Sequence, residues 1–485
     1  MAREPIAAAI RRLAEQQPDR PAITCEGVTV SWGELEPRTN RLAHTMARRG
    51  VGQDDFVTIG LPNGIAFYET CIAAWKLGAV PQPVSHRLPE RERAEIVALV
   101  HPPLVVTEPV AVDEDAGDEP ITPDRVAPAL KAPTSGGSTG RPKIIVSTAD
   151  GTADIAGQML FADRRAGQTE LVPGPLYHNG PFVYSMPTLL SGGHVVVMTR
   201  FDASEALRLL EEHGVEWAML VPTMMLRIWR LPEDERLARD LSSLRAVLHL
   251  AAPCPVWLKH AWIEWLGPER VWELYAGTEA QRVTLITGTE WLAHEGSVGR
   301  PEPGTMKATD ADGDDLPPGE VGEIWMLAPD RPTYHYIGAE ARARDGWESL
   351  GDLGWFDEDG YLYLADRRTD LIIAGGANIY PAEVEAALME HPAIASCAVI
   401  GLPDEDLGHR VHAVLETTAE VSDDELRAFL AERLVRYKVP RSFERVPGQV
   451  RDDAGKVRRT ALAAARRGPD GDDPNRDEHE PKGAR

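Results

Sequence analysis

The chain has 485 residues, with 51 Lys+Arg against 76 Asp+Glu and a formal net charge of −25; 43% of residues are hydrophobic and 26% charged. That length suits about two to four domains, and a composition of this kind excludes wholesale disorder. The acidic balance excludes a general nucleic-acid or anionic-membrane binder, and no run of about 18 apolar residues offers a bilayer span.

In chain order, Met1 to Gln17 lacks the apolar centre and cleavage site of a signal peptide. Ile6, Ile10 and Leu13 fall at helical spacing after Pro5, and Ser31-Trp32-Gly33-Glu34 is a capping box that opens a second helix carrying Leu35, Leu42 and Met46. Phe56 to Ile59 reads as a strand, Thr70 to Leu77 as a helix, Ala206 to Glu212 as a helix and Trp217 to Val221 as a buried strand. This alternation predicts an α/β domain with a mostly parallel sheet. Residues 111–125 read as an exposed acidic loop. Beyond Glu320 the pattern changes to short strands, 320–327, 360–365 and 370–374, joined by Gly/Asp-rich turns. Pro381 to Met389 reads as a helix, 396–400 and 410–416 as strands, and Ser422 as the cap of a helix ending near Leu434. From Asp370 onward a separate α+β domain is expected, and 468–485 has the composition of a disordered tail. Cys25, Cys71, Cys254 and Cys397 stand far apart with no Cys-x-x-Cys pair, which reads as reduced thiols in a cytoplasmic protein.

The charge is uneven. Between Arg433 and Arg467 eleven Lys/Arg stand against three acids, so this segment is net +8 and the remainder −33. A charge run is usually a solvated face; the functional reading is an anion-facing surface.

The stretch with most chemistry is Thr134-Ser135-Gly136-Gly137-Ser138-Thr139-Gly140-Arg141-Pro142-Lys143. Glycines let backbone approach a ligand closely, hydroxyls donate and the lysine adds charge, a combination that cradles phosphate oxygens. Gly136-Gly137-Ser138-Thr139-Gly140 also fits the Gly-x-Ser-x-Gly elbow of α/β-hydrolases, with Ser138 as nucleophile. That motif needs strand–turn–helix, whereas Pro142 and Ile144-Ile145-Val146 point to strand–loop–strand, so the hydrolase is the distant alternative.

With four further segments in order, the sequence resembles the adenylate-forming superfamily of acyl-CoA synthetases, aryl-acid ligases, adenylation domains and luciferases. These segments are Tyr275-Ala276-Gly277-Thr278-Glu279, Gly351-Asp352-Leu353-Gly354, Arg367 through Gly376 to Glu385, and Gly455-Lys456-Val457-Arg458. The resemblance spans about residues 5–465. It implies a large N-terminal domain of packed α/β subdomains (1–367, the ATP and acid site) and a hinge at 368–370 pivoting at Thr369 or Asp370. It also implies a small mobile α+β C-terminal domain (371–467) carrying a catalytic lysine. The implied chemistry is attack of a carboxylate on ATP, giving acyl-adenylate and pyrophosphate, then transfer of the acyl group to a thiol or amine.

The resemblance also implies residue roles. Thr134, Ser135, Gly136, Gly137, Ser138, Thr139, Gly140 and Lys143 would cradle phosphates, with Thr278 donating to the α-phosphate and Glu279 holding Mg²⁺. Asp352 would accept the ribose hydroxyls beside Arg367; Glu273 and Tyr275 would lie at the adenine, walled by Ala252 and its neighbours. Lys456 would stabilise charge in the adenylation transition state. His178, Phe182, Ala251, Ala276 and Val283 would line a mostly apolar acyl pocket for a bulky cyclic, aromatic or fatty acid, His178 doubling as a catalytic gate. Gly375 and Gly376 would flank the acceptor tunnel. CoA is the favoured acceptor and the +8 segment its basic rim; a stand-alone amide synthetase delivering the acyl group to an amine is the alternative. ATP, Mg²⁺, CoA and a small carboxylic acid are the expected partners, with no nucleic acid and no membrane, and a homodimer is one assembly open to the chain. Three departures from the family pattern stand out. Tyr-Ala-Gly replaces Tyr-Gly-x, Thr369 replaces a hinge Asp or Lys, and Asp452-Asp453-Ala454 leads into Lys456.

Overall fold

Short apolar runs such as Trp217–Leu220 and Ala246–His249 are buried along their whole length, as strands covered on both faces must be. In the computed structural model, which describes residues 3–136, 142–153, 162–404, 406–452 and 455–466, these runs form the middle of an eight-stranded sheet. Its order is Val283–Thr287, Val271–Ala276, Ala246–His249, Trp217–Leu220, Thr169–Val172, His194–Val197, Pro21–Cys25 and Val28–Ser31. The inner pairings are parallel, and the two outermost strands join antiparallel. A parallel three-stranded sheet, Val80–Pro83, Phe56–Ile59 and Leu104–Val106, lies in the same unit. The helices Ile6–Gln16, Trp32–Arg48 and Ile65–Lys76 share one core with these sheets, around Trp32, Phe67, Trp75 and Phe182.

The described residues divide into two compact units, one within Met1–Leu350 and Trp355–Tyr363, the other within Gly351–Gly354 and Leu364–Arg485. The fold is mixed α/β, a large N-terminal unit and a small C-terminal one, as the alternation of elements predicts. In the second unit the hairpin Ile394–Asp404 with Gly408–Thr417 is extended in parallel by Ser442–Arg445, and the helices Pro381–Met389 and Asp423–Ala431 belong to the same unit.

Local rules hold closely. Ser31 and Glu34 form the reciprocal capping box, and Ser422 accepts from Glu425 N. The helix predicted at 70–77 extends back to Ile65, because Ile65, Ala66 and Phe67 continue the apolar face without a breaker after Gly64. Cys25, Cys71 and Cys397 are buried thiols and Cys254 is half-buried; none is in a disulfide. No helix among the described residues is long and apolar enough to cross a membrane. Residues 468–485 lie outside the described residues.

The basic segment of the second unit is not the bare cationic surface that its count of charges suggests. Arg433 pairs with Glu390 at 2.7 Å, Lys438 with Glu383 at 2.6 Å and Arg466 with Glu444 at 2.5 Å, while Arg445 pairs with Asp423. Arg451 and Arg459 both reach the buried Glu385, at 2.5 and 2.7 Å. Most of the partner acids lie earlier in the chain, so a count within one segment cannot see them.

Candidate functional site

The glycine-rich stretch folds as strand–loop–strand: Thr134–Gly136 runs antiparallel to Pro142–Ser147, with Thr134 opposite Ile144, Ser135 opposite Lys143 and Gly136 opposite Pro142. A hairpin is not the strand–turn–helix that a nucleophile elbow requires. Gly137, Ser138, Thr139 and Gly140 lie outside the described residues. Tyr334–Ile337 adds to the other edge of Pro142–Ser147, which places Tyr336 beside Lys143.

Three polar side chains converge there. Lys143 Nζ donates to Glu279 Oε1 at 3.2 Å and to Tyr336 Oη at 2.9 Å, and Tyr336 Oη donates to the same carboxylate oxygen at 2.5 Å. The ammonium also sits 4.0 Å from the centre of the Tyr336 ring. Burial and the adjacent Glu279 carboxylate hold the Tyr336 phenol well above its ordinary pKa, so it stays a proton donor. Glu279 is 5% exposed, and among the described residues its Oε2 carries no hydrogen bond. At Gly277, where the family pattern is shifted, a Cβ would lie 2.4 Å from Leu350 Cδ1 and 2.9 Å from Glu279 Oε2, so a side chain there would push one or both of these aside. Thr278 is half-buried beside it.

No group of three or more His, Cys, Asp or Glu among the described residues could cage a metal ion. Mg²⁺ does not need such a cage, since it is commonly held by one or two carboxylates with substrate phosphates and water. A single buried carboxylate with one uncommitted oxygen, Glu279, fits that mode.

Behind the strand Val271–Ala276 lies a second polar group. Glu273 is buried and accepts from Lys259 Nζ at 2.5 Å; Lys259, on the helix Val256–Leu266, is itself fully buried. Burial pushes the Glu273 carboxyl upward, and the Lys259 ammonium opposes that. His249 is buried 3.8 Å from the same carboxylate, both ring nitrogens without a hydrogen bond among the described residues, and burial keeps it neutral. Tyr275 and Ala276 are half-buried, and Ala276 lies directly opposite Val283, which is 45% exposed. Ala251 is exposed in the left-handed region at φ 77°, beside half-buried Ala252, on the loop between Ala246–His249 and Val256–Leu266.

His178 caps the helix Asn179–Leu190 without a side-chain bond of its own to it, and its ring lies 4.4 Å from that of Tyr177. Phe182, expected at the acyl pocket, is 1% exposed and packs edge-on to Phe67 at 6.2 Å and against Trp75 at 6.2 Å, inside the core. Lys131, which the sequence reading passes over, is buried and donates to the Asn179 side-chain oxygen. Its only sequence signal is a lone charge in the run Ala129-Leu130-Lys131-Ala132 just before the glycine-rich loop.

In the second unit, Arg367 Nε donates to Asp352 Oδ1 at 3.2 Å. Asp370 Oδ2 accepts from Arg459 Nη1 at 2.8 Å, so one of the two hinge candidates is held by a half-buried guanidinium, while Thr369 reaches Asp370 Oδ1 at 3.5 Å. Asp366 accepts from Ala382 N at 2.8 Å, and burial pushes it up to about 6. Gly375 and Gly376, at φ 57° and 81°, form the two-residue turn between Ile372–Ala374 and Ala377–Ile379, a turn that itself demands positive φ at both positions. Lys456 is exposed; its N–H donates to Asp452 Oδ1 at 2.8 Å, and Asp452 N donates back to Lys456 O at 2.9 Å. The unusual Asp452 thus closes the turn that presents the lysine. Thr134, Lys143, Glu273, Tyr275, Thr278 and Glu279 belong to the first unit, and Asp352, Arg367 and Lys456 to the second.

The family described as AMP-binding enzyme matches residues 10–135 and 132–330, and its C-terminal domain matches 383–456. A protein named feruloyl-CoA synthase from Amycolatopsis is 34% identical over 477 residues, covering 92% of this chain and 96% of that protein. A 2-succinylbenzoate–CoA ligase from Bacillus licheniformis is 30% identical over 480 residues, covering 93% and 98%. Among solved structures, o-succinylbenzoate CoA synthetase (MenE) from Bacillus subtilis with its acyl-adenylate intermediate matches with TM-score 0.78 at 28% identity, covering 96% of this chain and 100% of that one. Amide bond synthetase McbA from Marinactinospora thermotolerans matches with TM-score 0.75 at 25% identity, covering 95% and 99%.

Proposed function

The chain belongs to the AMP-binding enzyme family of ATP-dependent acid ligases, and we propose that it joins a bulky carboxylic acid, cyclic, aromatic or fatty, to coenzyme A. The observation that carries this reading is the Lys143–Glu279–Tyr336 cluster. It unites the glycine-rich hairpin and the Tyr-Ala-Gly-Thr-Glu segment, 136 residues apart in sequence, around one buried carboxylate.

The first step forms a bond from a carboxylate oxygen of the acid to the α-phosphorus of ATP and breaks the bond to pyrophosphate. It gathers negative charge on phosphate oxygens, so the protein must supply cations and aligned donors rather than a covalent nucleophile. Lys143 and the hairpin's backbone N–H groups serve the phosphates, Thr278 donates to the α-phosphate, and Glu279 would hold Mg²⁺, which supplies charge neutralisation there. Tyr336 keeps the Glu279 carboxylate oriented. Asp352, steadied by Arg367, accepts from the ribose hydroxyls, and Tyr275 with Ala252 flanks the adenine. Lys456, by its match to the family's terminal lysine motif, would stabilise charge in the adenylation transition state. In the second step the sulfur of CoA bonds to the acyl carbon, the acyl–phosphate bond breaks, and AMP departs.

The names of the relatives support CoA as acceptor; the likeness to an amide bond synthetase keeps an amine as the alternative. The paired cations of the second unit lend CoA little extra support. Acid-dependent exchange of labelled pyrophosphate into ATP tests the first step, and Lys456→Ala should lower it about 10²–10³-fold. Mass spectrometry of products formed with CoA or with a mixture of amines identifies the acceptor. Ester cleavage without ATP, and no exchange with any acid, would overturn the reading.

A further inference from the structure

Three lysine side chains are buried among the described residues: Lys76, Lys131 and Lys259. Two of them carry their own counter-ion. Lys76 Nζ lies 2.5 Å from Glu36 Oε2 and 2.5 Å from Asn40 Oδ1, and Lys259 Nζ lies 2.5 Å from Glu273 Oε2. Lys131 is different. It is 7% exposed, its ammonium donates to the neutral side-chain oxygen of Asn179, and among the described residues it forms no ion pair.

A buried ammonium without a carboxylate is costly, because it has lost its water and gained no opposite charge. Burial accordingly depresses the Lys131 pKa to about 8, opposed only by the more distant Glu279. At its hydrogen-bond partner the surroundings add to the positive potential. Asn179 opens the twelve-residue helix Asn179–Leu190, whose N-terminal end favours anions. The backbone around Lys131 is fixed: Ser147 N donates to its carbonyl at 3.0 Å, and Ala132 N donates to Pro81 O at 3.0 Å. The ammonium is therefore held at Asn179, and among the described residues it spends one of its three donors.

We propose that Lys131 is an anion-binding residue of the acid site, its ammonium, oriented by Asn179, taking a carboxylate oxygen of the substrate acid. This deepens the acid-ligase reading and rests on it. The recognised oxygen belongs either to the reacting carboxylate or to a second carboxylate at the far end of a dicarboxylic acid. The contact chemistry is the same, and no bond is made or broken by the lysine.

Pyrophosphate exchange by the full chain, wild type against Lys131→Met and Lys131→Arg, tests this with matched acids such as hexanoate with adipate and benzoate with terephthalate. Lys131→Met should raise the KM for acid at least about tenfold while the KM for ATP stays within about twofold, and Lys131→Arg should restore most of the loss. A loss on both members of a pair assigns the contact to the reacting carboxylate; a loss confined to the diacids assigns it to the second one. An unchanged KM for every acid, or equal rises for acid and ATP without rescue by arginine, overturns the proposal. Should the methionine variant fail to fold in a thermal melt, Lys131→Gln carries the same comparison. If the wild type shows no acid-dependent exchange at all, the acid-ligase reading has failed first, and the assignment of Lys131 falls with it.

Discussion

Lys259 and Lys131 solve the same problem in opposite ways. Behind the strand Val271–Ala276, the Lys259 ammonium is paired with Glu273 at 2.5 Å, and neutral His249 lies 3.8 Å from the same carboxylate. At the start of the helix Asn179–Leu190, Lys131 is given an amide and nothing charged within ion-pair distance among the described residues. In the first arrangement the ammonium is neutralised without a ligand, by the residue expected at the adenine. The second is complete only when an anion arrives. Burial alone therefore does not set the two apart; the internal carboxylate beside Lys259, and its absence beside Lys131 among the described residues, does.

The largest effect that tests this contrast is on the closed pair. Lys259→Met leaves the Glu273 carboxylate buried with no cation, and loss of about 3–5 kcal/mol of unfolding free energy in urea titrations is expected. Lowering the pH should recover part of it, because the Glu273 carboxyl already leans toward its protonated form when buried. Pairing the change with Glu273→Leu should restore most of the stability by removing the stranded charge. A double variant no more stable than Lys259→Met would show that the pair does more than neutralise itself.

Lys131 should behave in the opposite sense, and its pH dependence gives the sign. Its folded pKa of about 8 lies below the ordinary 10.5, so between those values the unfolded chain binds the extra proton and the native state does not. Stability of the wild type then rises with pH across that window. Relative to wild type, Lys131→Met should be most favoured near neutral pH, and that advantage should shrink by up to roughly 3 kcal/mol as the pH climbs from 8 to 10.5. A stability difference that is flat across this window would show that Lys131 has a counter-charge after all.

Much of this was legible in the sequence wherever spacing is local. The capping boxes at Ser31 and Thr287 and the Ser422 cap depend on neighbours three residues away, and the first and last of these were read from that spacing. The hairpin of the glycine-rich stretch likewise followed from Pro142 and the apolar run after it. Phe182 illustrates what is not local: its motif neighbourhood suggested a pocket wall, yet Phe67 and Trp75, far upstream, enclose it in the core. Tyr336 was invisible for the same reason: its side chain meets Glu279, 57 residues upstream, while its strand pairs with Pro142–Ser147 much earlier in the chain. The basic segment misled because its counter-charges, Glu383, Glu385, Glu390 and Asp423, precede it in the chain.

Ala251 offers the finest test of whether cost in this fold gathers where a ligand is to be bound. It holds φ 77° without being a glycine, a conformation that is strained for any residue with a Cβ. Its loop carries the proposed adenine wall, with Ala251 itself expected at the acyl pocket, and follows the strand that ends at His249, so the strain sits on a loop proposed to meet the substrates. Ala251→Gly removes the strain, about 1–2 kcal/mol, but frees the unfolded chain by about 0.5–1 kcal/mol. The net expectation is a gain near 0.5 kcal/mol in urea unfolding, together with a modest rise in the KM for ATP as the loop loosens. Ala251→Val should do the reverse to stability, because a β-branched side chain tolerates positive φ least. A glycine variant that is both more stable and unchanged toward ATP would mean that the strain serves no ligand. The contrast between Lys131 and Lys259 would then rest on charge alone and not on backbone strain.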